Sequence, residues 1–269
     1  MTATTAGRPT TSTVQQWWVL TVRLITPTLR NGEALAQVAA SVMFTAGFYI
    51  PLKHIMSGFV QGMSSYAQYL MPLIALQAVA FAAVSAAFRS ATDSVQGINW
   101  RFKAMPIAPL TPLAARMSAS MHRCVIALVV SLVCGHVIGF RFYGGVAHSV
   151  GFCALVLLVG ATLSLLGDVV GVASQNPQAT MPLLLIPQII FGQLSVGLQP
   201  VERFPSWTRG FVRDQAVSQH VYALRALAGD STPAAGAVSW SVIGPALFWV
   251  VGFIVVLLPL HALVAARRR

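Results

Sequence analysis

Only six carboxylates occur in the 269 residues: Glu33, Asp93, Asp168, Glu202, Asp214 and Asp230. General acid–base chemistry needs converging titratable groups, and all but one of these acids lie in polar stretches far apart in the chain. Asp168 differs, because it stands inside the apolar run SLLGDVVGVAS. An intramembrane carboxylate is costly and is a functional candidate by default, as a proton carrier or an ion-path residue. The competing reading is a hydrogen-bonded Asp between helices that pack closely at Gly167 and Gly171. That reading is favoured, since no intramembrane base stands out as its partner. His54, His122, His136, His148 and His220 fall at span ends or in loops, and His261 near the end of the last span, so no proton relay is expected. Cys124, Cys134 and Cys153 lack CxxC spacing and read as small buried apolar residues, with no metal site. Neither GxxxxGK[ST], HExxH nor GxSxG occurs, so no catalytic residue and no nucleotide-binding loop are expected in this chain.

A different chemistry, that of a docking surface, is written in SATDSVQGINWRFKAMPIAPLTPLAARMSASMHR, residues 90–123. The stretch is too polar to cross a bilayer, and its prolines forbid one continuous helix. Asp93 or Ser94 suits a helix N-cap and Gly97 a turn. Trp100, Phe102 and Met105 supply an apolar anchor, Arg101 and Lys103 supply charge, and Pro106, Pro109 and Pro112 stiffen the exit. On residues alone, a solvated basic loop and a protein-docking element fit equally well. A third polar segment, about forty residues around FPSWTRGFVRDQAVSQHVYALRALAG, has helical spacing in two short pieces. Pro205 before Trp207 suits a helix start and Gly229 a stop.

The elements that must position these residues are membrane spans. Hydrophobic residues make up 56% of the chain, charged residues 9%, and mean hydropathy is +0.73; soluble domains carry about 25% charged residues. Six stretches reach the ~20 apolar residues that a bilayer requires: 35–57, 68–89, 119–140, 149–173, 179–198 and 241–265. The fifth is expected to be kinked at Pro182 and Pro187. With both termini inside, eleven basic residues fall on the cytoplasmic side and six outside, which favours that orientation and accounts for the net charge of +11 without nucleic acid. Ahead of the spans, 14–31 interleaves Val14, Trp17, Trp18, Ile25 and Leu29 with Gln and Arg, the pattern of an amphipathic interface helix. The Thr-rich start lacks an apolar core of secretory type, so no cleaved signal is expected. The expected organisation is therefore an all-α integral membrane protein. It has a tail and interface helix over 1–34 and a six-span domain over 35–269. That domain carries a cytoplasmic segment at 90–118 between spans two and three, and a short-helix outer loop at 199–240 between spans five and six.

Two regions resemble the membrane subunits of ABC type-2 exporters, in particular the daunorubicin-resistance-like permeases of actinobacteria. One is the series Asp93, Gly97, Arg101, MPIAP and Arg116. The other is LQPVERFPSWTRGFVRDQAVSQHVYALRAL, carrying Pro205, Trp207, Gln215, Ser218 and Arg225. Two departures stand out: Ala216 replaces a proline of the family's run, and QGINWRF replaces the Arg-Glu and Gly-Thr-Leu-Glu form of the wider superfamily. The resemblance implies a plasma-membrane permease whose segment Asp93–Pro106 is a coupling helix resting on a separate ABC ATPase. Two ATPase copies would bind ATP and Mg, and a second permease, identical or related, would complete the assembly. It implies export of a hydrophobic or amphiphilic cargo, a lipid or a drug. A polar, water-filled lining is not visible on any span, which agrees with a greasy cargo. Asp168, Gln193 and Ser195 are the expected path residues, the last two at an exit gate. The alternatives are a proton-coupled transporter using Asp168 and, less supported by the scattered acids, a membrane enzyme.

Overall fold

A computed structural model describes residues 12–57, 65–105, 107–108, 110–174, 176–229 and 238–267. The regular elements among the described residues are all helices, in the order α1 (Thr13–Arg30), α2 (Glu33–Ser57), α3 (Tyr66–Val95), α4 (Ile98–Ala104), α5 (Thr111–Ile138), α6 (Gly145–Ala173), α7 (Pro177–Gln193), a 3-10 turn (Val201–Arg203), α8 (Arg209–Asp214), α9 (Ala216–Ala228) and α10 (Trp240–Arg267). Nearly every residue of α3 from Tyr66 to Val84 is buried, and α2, α5, α6, α7 and α9 all pack on it. Helices in lipid gain little from hiding apolar surface and associate where small residues admit close contact. That is the sequence logic here: α3 is Ala-rich where α6 brings Gly160, Gly167 and Gly171 against it. A Cβ on Gly167 would lie 2.7 Å from the carbonyl oxygen of Ala83, and one on Gly171 would lie 2.7 Å from the Ser90 Cβ. The other GxxxG pair divides its work. Gly135 sits against Met71, whereas Gly139 ends α5 at φ +107 with open space around it.

Five helices, α2, α3, α5, α6 and α10, are long and apolar enough to cross a membrane. The stretch expected at 179–198 is a shorter helix. Asn176 caps α7 through the amides of Gln178 and Ala179, Pro177 opens it, and the helix runs through Pro182 and Pro187 to stop at Gln193. Its 17 residues span about 25 Å at ~1.5 Å per residue. The amphipathic segment forms α1 as expected. Val14, Trp18 and Leu29 point away from the bundle, while Trp17 turns inward and donates Nε1–H to Ser118 Oγ at 3.1 Å.

The polar segment 90–118 resolves into three pieces. α3 continues through Asp93 to Val95, Gly97 makes a left-handed turn at φ +71, α4 follows, and α5 begins at Thr111. Asp93 and Ser94 therefore lie inside α3, and α4 has no side-chain cap, contrary to the expected capping role. Pro106 and Pro109 lie outside the described residues. In the 199–240 loop both short helices form. Pro205 and Trp207 belong to a turn that precedes α8, and α9 ends at Gly229 with φ +78.

Candidate functional site

At the end of the bundle that carries α4, three long helices meet through charge. Asp168 of α6 is 3% exposed and accepts from Arg116 of α5, with Nε–Oδ1 2.7 Å and Nη2–Oδ2 3.2 Å. Its Oδ2 also lies 2.9 Å from Nε2 of His261 on α10. The expectation that Asp168 has no nearby basic partner is thus overturned. Arg116 was read with the linker and His261 with a span end, and only the packing of α5 antiparallel to both α6 and α10 brings them together. The sequence did hold a signal: Arg116 stands just before its apolar run while Asp168 and His261 stand near the far ends of theirs, positions that alternating spans bring to one side. A carboxylate held by a two-pronged guanidinium is fixed in place, which suits a mechanical joint between helices better than a proton carrier.

Beside this joint, Arg23, Arg89, Asp93 and Arg116 line a hollow of about 180 Å3 together with Ile98 and Phe102 of α4. Arg89 in turn grips Glu33 at the start of α2, with Nε at 3.0 and 2.9 Å from the two carboxylate oxygens, and reaches the Leu24 carbonyl of α1 at 3.4 Å. The apolar anchor expected from Trp100, Phe102 and Met105 is divided between two sides. Phe102 seats α4 against the bundle, whereas Trp100, Arg101 and Met105 are exposed on its other side. Lys103 lies on the same short helix.

A second concavity runs between α7 and α10, floored by α3 and α6 and closed at one end by α8 and α9. It encloses about 630 Å3, with walls from Leu76, Val159, Phe191, Trp249 and Phe253 among others. Drug-sized ligands occupy concavities of about 300–1,000 Å3 that are largely apolar with a few convergent polar groups.

No family model matches the chain. The doxorubicin resistance ABC transporter permease protein DrrB of Mycobacterium tuberculosis is 52% identical over 262 residues, 96% of this chain and 91% of the relative. The chain belongs to this permease family. More distant relatives are the daunorubicin resistance permease DrrB1 of Streptomyces coeruleorubidus, 26% identical over 195 residues (71% of this chain and 68% of the relative), and the probable doxorubicin resistance permease DrrC of M. tuberculosis, 26% identical over 233 residues (85% and 83%). The protein is thus a multi-pass ABC transporter permease, and its membrane helices have a stated purpose.

Within the permease, the second motif region acts at the end opposite α4. Arg225 of α9 is fully buried and donates to two carbonyls, Tyr69 O at 3.1 and 3.0 Å and Val196 O at 2.8 Å, with its guanidinium 3.3 Å above the Tyr69 ring. Ser218 Oγ accepts from the Val196 amide at 3.2 Å, and Gln215 Nε2 donates to the carbonyls of Phe191, at 3.1 Å, and Leu194. Gln215, Ser218 and Arg225 thereby satisfy the backbone left open where α7 ends. Pro205 and Trp207 do not join them, and Trp207 is exposed. The path residues are not brought together either. Asp168 lies at the α4 end. Ser195 is buried in the turn after α7, bonded to the Gly192 carbonyl at 2.7 Å, and Gln193 is exposed at the tip of α7. The polar residue that α7 does present to the groove is Gln188, which sequence reasoning missed.

Proposed function

We propose that this permease is the membrane half of an ATP-driven exporter, a non-enzymatic subunit that a separate ABC ATPase moves. The observation that carries the reading is α4: a seven-residue helix between two long ones, seated by Phe102 and turning Trp100, Arg101 and Met105 outward. Aromatic and Arg side chains on one exposed face are what dominate docking energy. In this reading the α4 end is cytoplasmic, both termini lie on that side, and α7 makes the sixth crossing despite its length. ATP and Mg are bound by two copies of the ATPase, and a second permease, identical or related, completes the pore.

In this reading force applied to α4 reaches α5, where Arg116 hands it to Asp168 on α6 and His261 on α10. The joint thus converts a push on one linker into movement of three spans. The relatives named for doxorubicin and daunorubicin resistance support a hydrophobic drug as cargo, and the apolar groove supports the same class or a lipid. The test is co-purification with the candidate ATPase. Wild type is expected to retain it, and a Trp100→Ala/Arg101→Ala double variant that still folds is expected to lose at least about tenfold of it, as for loss of interface hot spots. Retention of the ATPase by the double variant would remove α4 as the coupling element.

A further inference from the structure

The hollow beside α4 holds one charge of each sign that no direct contact cancels. Among its charged lining residues, Arg89 is committed to Glu33 and Arg116 to Asp168. Asp93, half-buried near the end of α3, and Arg23, exposed on α1, are the other two. Among the described residues, neither of these side chains makes a hydrogen bond or an ion pair, with each other or with a third group. The Asp93 carboxylate oxygens retain accessible surface, so the hollow is open to them. A half-buried charge left unpaired is costly. A lone anion drawn to Arg23 would meet Asp93, and a lone cation drawn to Asp93 would meet the guanidiniums around it. Only a molecule that carries both charges a short distance apart satisfies the pair.

We infer that the hollow bounded by α1, α3, α4 and α5 binds the headgroup of a phosphatidylethanolamine, with the phosphate on Arg23 and the ammonium on Asp93. The inference goes beyond the exporter reading and does not need it. Leu20, Leu24 and Pro27 of α1 form one wall of the hollow. The same helix turns Val14, Trp18, Val19 and Leu29 outward, as a helix lying in the headgroup layer does, so that wall stands at headgroup depth. At about 180 Å3 the hollow is too small for a drug-sized molecule, which occupies about 300–1,000 Å3, and it suits a headgroup whose chains stay in the bilayer. A choline head has no N–H to give Asp93, and a glycerol head has no positive charge. Phe102 lines the hollow as well, so an occupied site also steadies the seat of α4.

The purified full-length permease in dodecyl maltoside is titrated with dioctanoyl phosphatidylethanolamine, its choline and glycerol counterparts, and free phosphoethanolamine. Bound lipid is counted by native mass spectrometry, and a melting scan of each lipid-free variant checks its fold. One saturable ethanolamine lipid is expected, with the choline and glycerol lipids weaker by about tenfold for the lost ammonium contact. Free phosphoethanolamine, which has no chains to bury, should also be weaker by about tenfold or more. Arg23→Gln should weaken every lipid by about tenfold, because each carries the phosphate. Asp93→Asn should erase the preference for ethanolamine and leave the glycerol lipid no weaker. Leu20→Trp, which fills the hollow from α1 and keeps both charges, should abolish the saturable site. Equal retention of the three lipids would mean an annular shell only and overturns the inference. So does an ethanolamine preference that persists in both Arg23→Gln and Asp93→Asn, which would put the site elsewhere. Free phosphoethanolamine bound as tightly as the lipid would overturn the membrane source and assign the hollow to a soluble phosphoamine. No ATPase takes part, so failure here leaves the exporter reading intact. A permease that retains the lipid but recruits no ATPase sinks only the exporter.

Discussion

At the scale of single residues, the decisive feature is the commitment of Asp168. Both its oxygens are used, one guanidinium and one imidazole face it, and it is buried. Breaking a buried pair from one side leaves an uncompensated charge and costs about 3–5 kcal/mol. Asp168→Asn should therefore lower the unfolding free energy of the permease by roughly that amount and stop export while the ATPase still co-purifies. A proton carrier would behave differently: its loss would leave stability nearly unchanged and would matter only when a proton gradient is applied. His220 supplies the pH dependence. Its folded value is about 4 against 6.5 in a free side chain, so the unfolded chain takes up the proton first as pH falls. The contribution to stability is complete above 6.5 and is lost progressively as pH drops towards 4. Acid-induced loosening of α9, followed by hydrogen exchange, should set in across that interval in wild type and be blunted in His220→Leu. An unchanged profile in the variant would assign the acid sensitivity to other groups.

At the scale of elements, the chain's local signals were informative where structure is local. Long apolar runs located five spanning helices, and Gly97 and Gly229 marked real breaks because only a left-handed backbone makes those turns. Gly167 and Gly171 announced the close approach of α6 to α3. What the sequence concealed were features set by a partner element. The run 179–198 is mostly apolar along its length, yet α7 stops at Gln193, where Gln215 ahead of α9 and Ser218 and Arg225 within it bond the backbone of the next turn. No window over α7 contains that information. The joint at Asp168 was concealed similarly, since its three members are 52 and 93 positions apart along the chain. The groove was harder still. Its floor and sides come from helices whose apolar faces look alike in sequence whether they meet lipid, a neighbour or a ligand. Only Gln77 and Gln188, polar residues within apolar runs, hinted at it.

At the scale of the whole molecule, two polar clusters hold opposite ends of one bundle, and the groove opens near the second. The Asp168 joint touches α3 through Ser90, whose hydroxyl reaches the Asp168 carbonyl at 3.4 Å, and the Arg225 clamp touches it through the Tyr69 carbonyl. Those two points are 21 residues apart on a single helix, about 30 Å at ~1.5 Å per residue. They share no side chain. For stability, then, Asp168→Asn and Arg225→Leu should add to within about 0.5 kcal/mol, the behaviour of sites that do not share partners. The exporter proposed above would demand the contrary. In the proposed reading a push at α4 is useful only if it changes the groove, so the two ends would have to communicate when the ATPase closes, through α3 and α6 rather than through a chain of polar contacts. A double-mutant cycle in denaturant, run on the permease alone and again with its nucleotide-loaded ATPase, separates these demands. Additive effects alone and a coupling above 1 kcal/mol in the complex, roughly the size seen for interacting sites, would show the bundle behaving as a lever. Additivity in both states would mean that motion at α4 never reaches the clamp, and the groove would have to open by some route other than the helices that join it to α4.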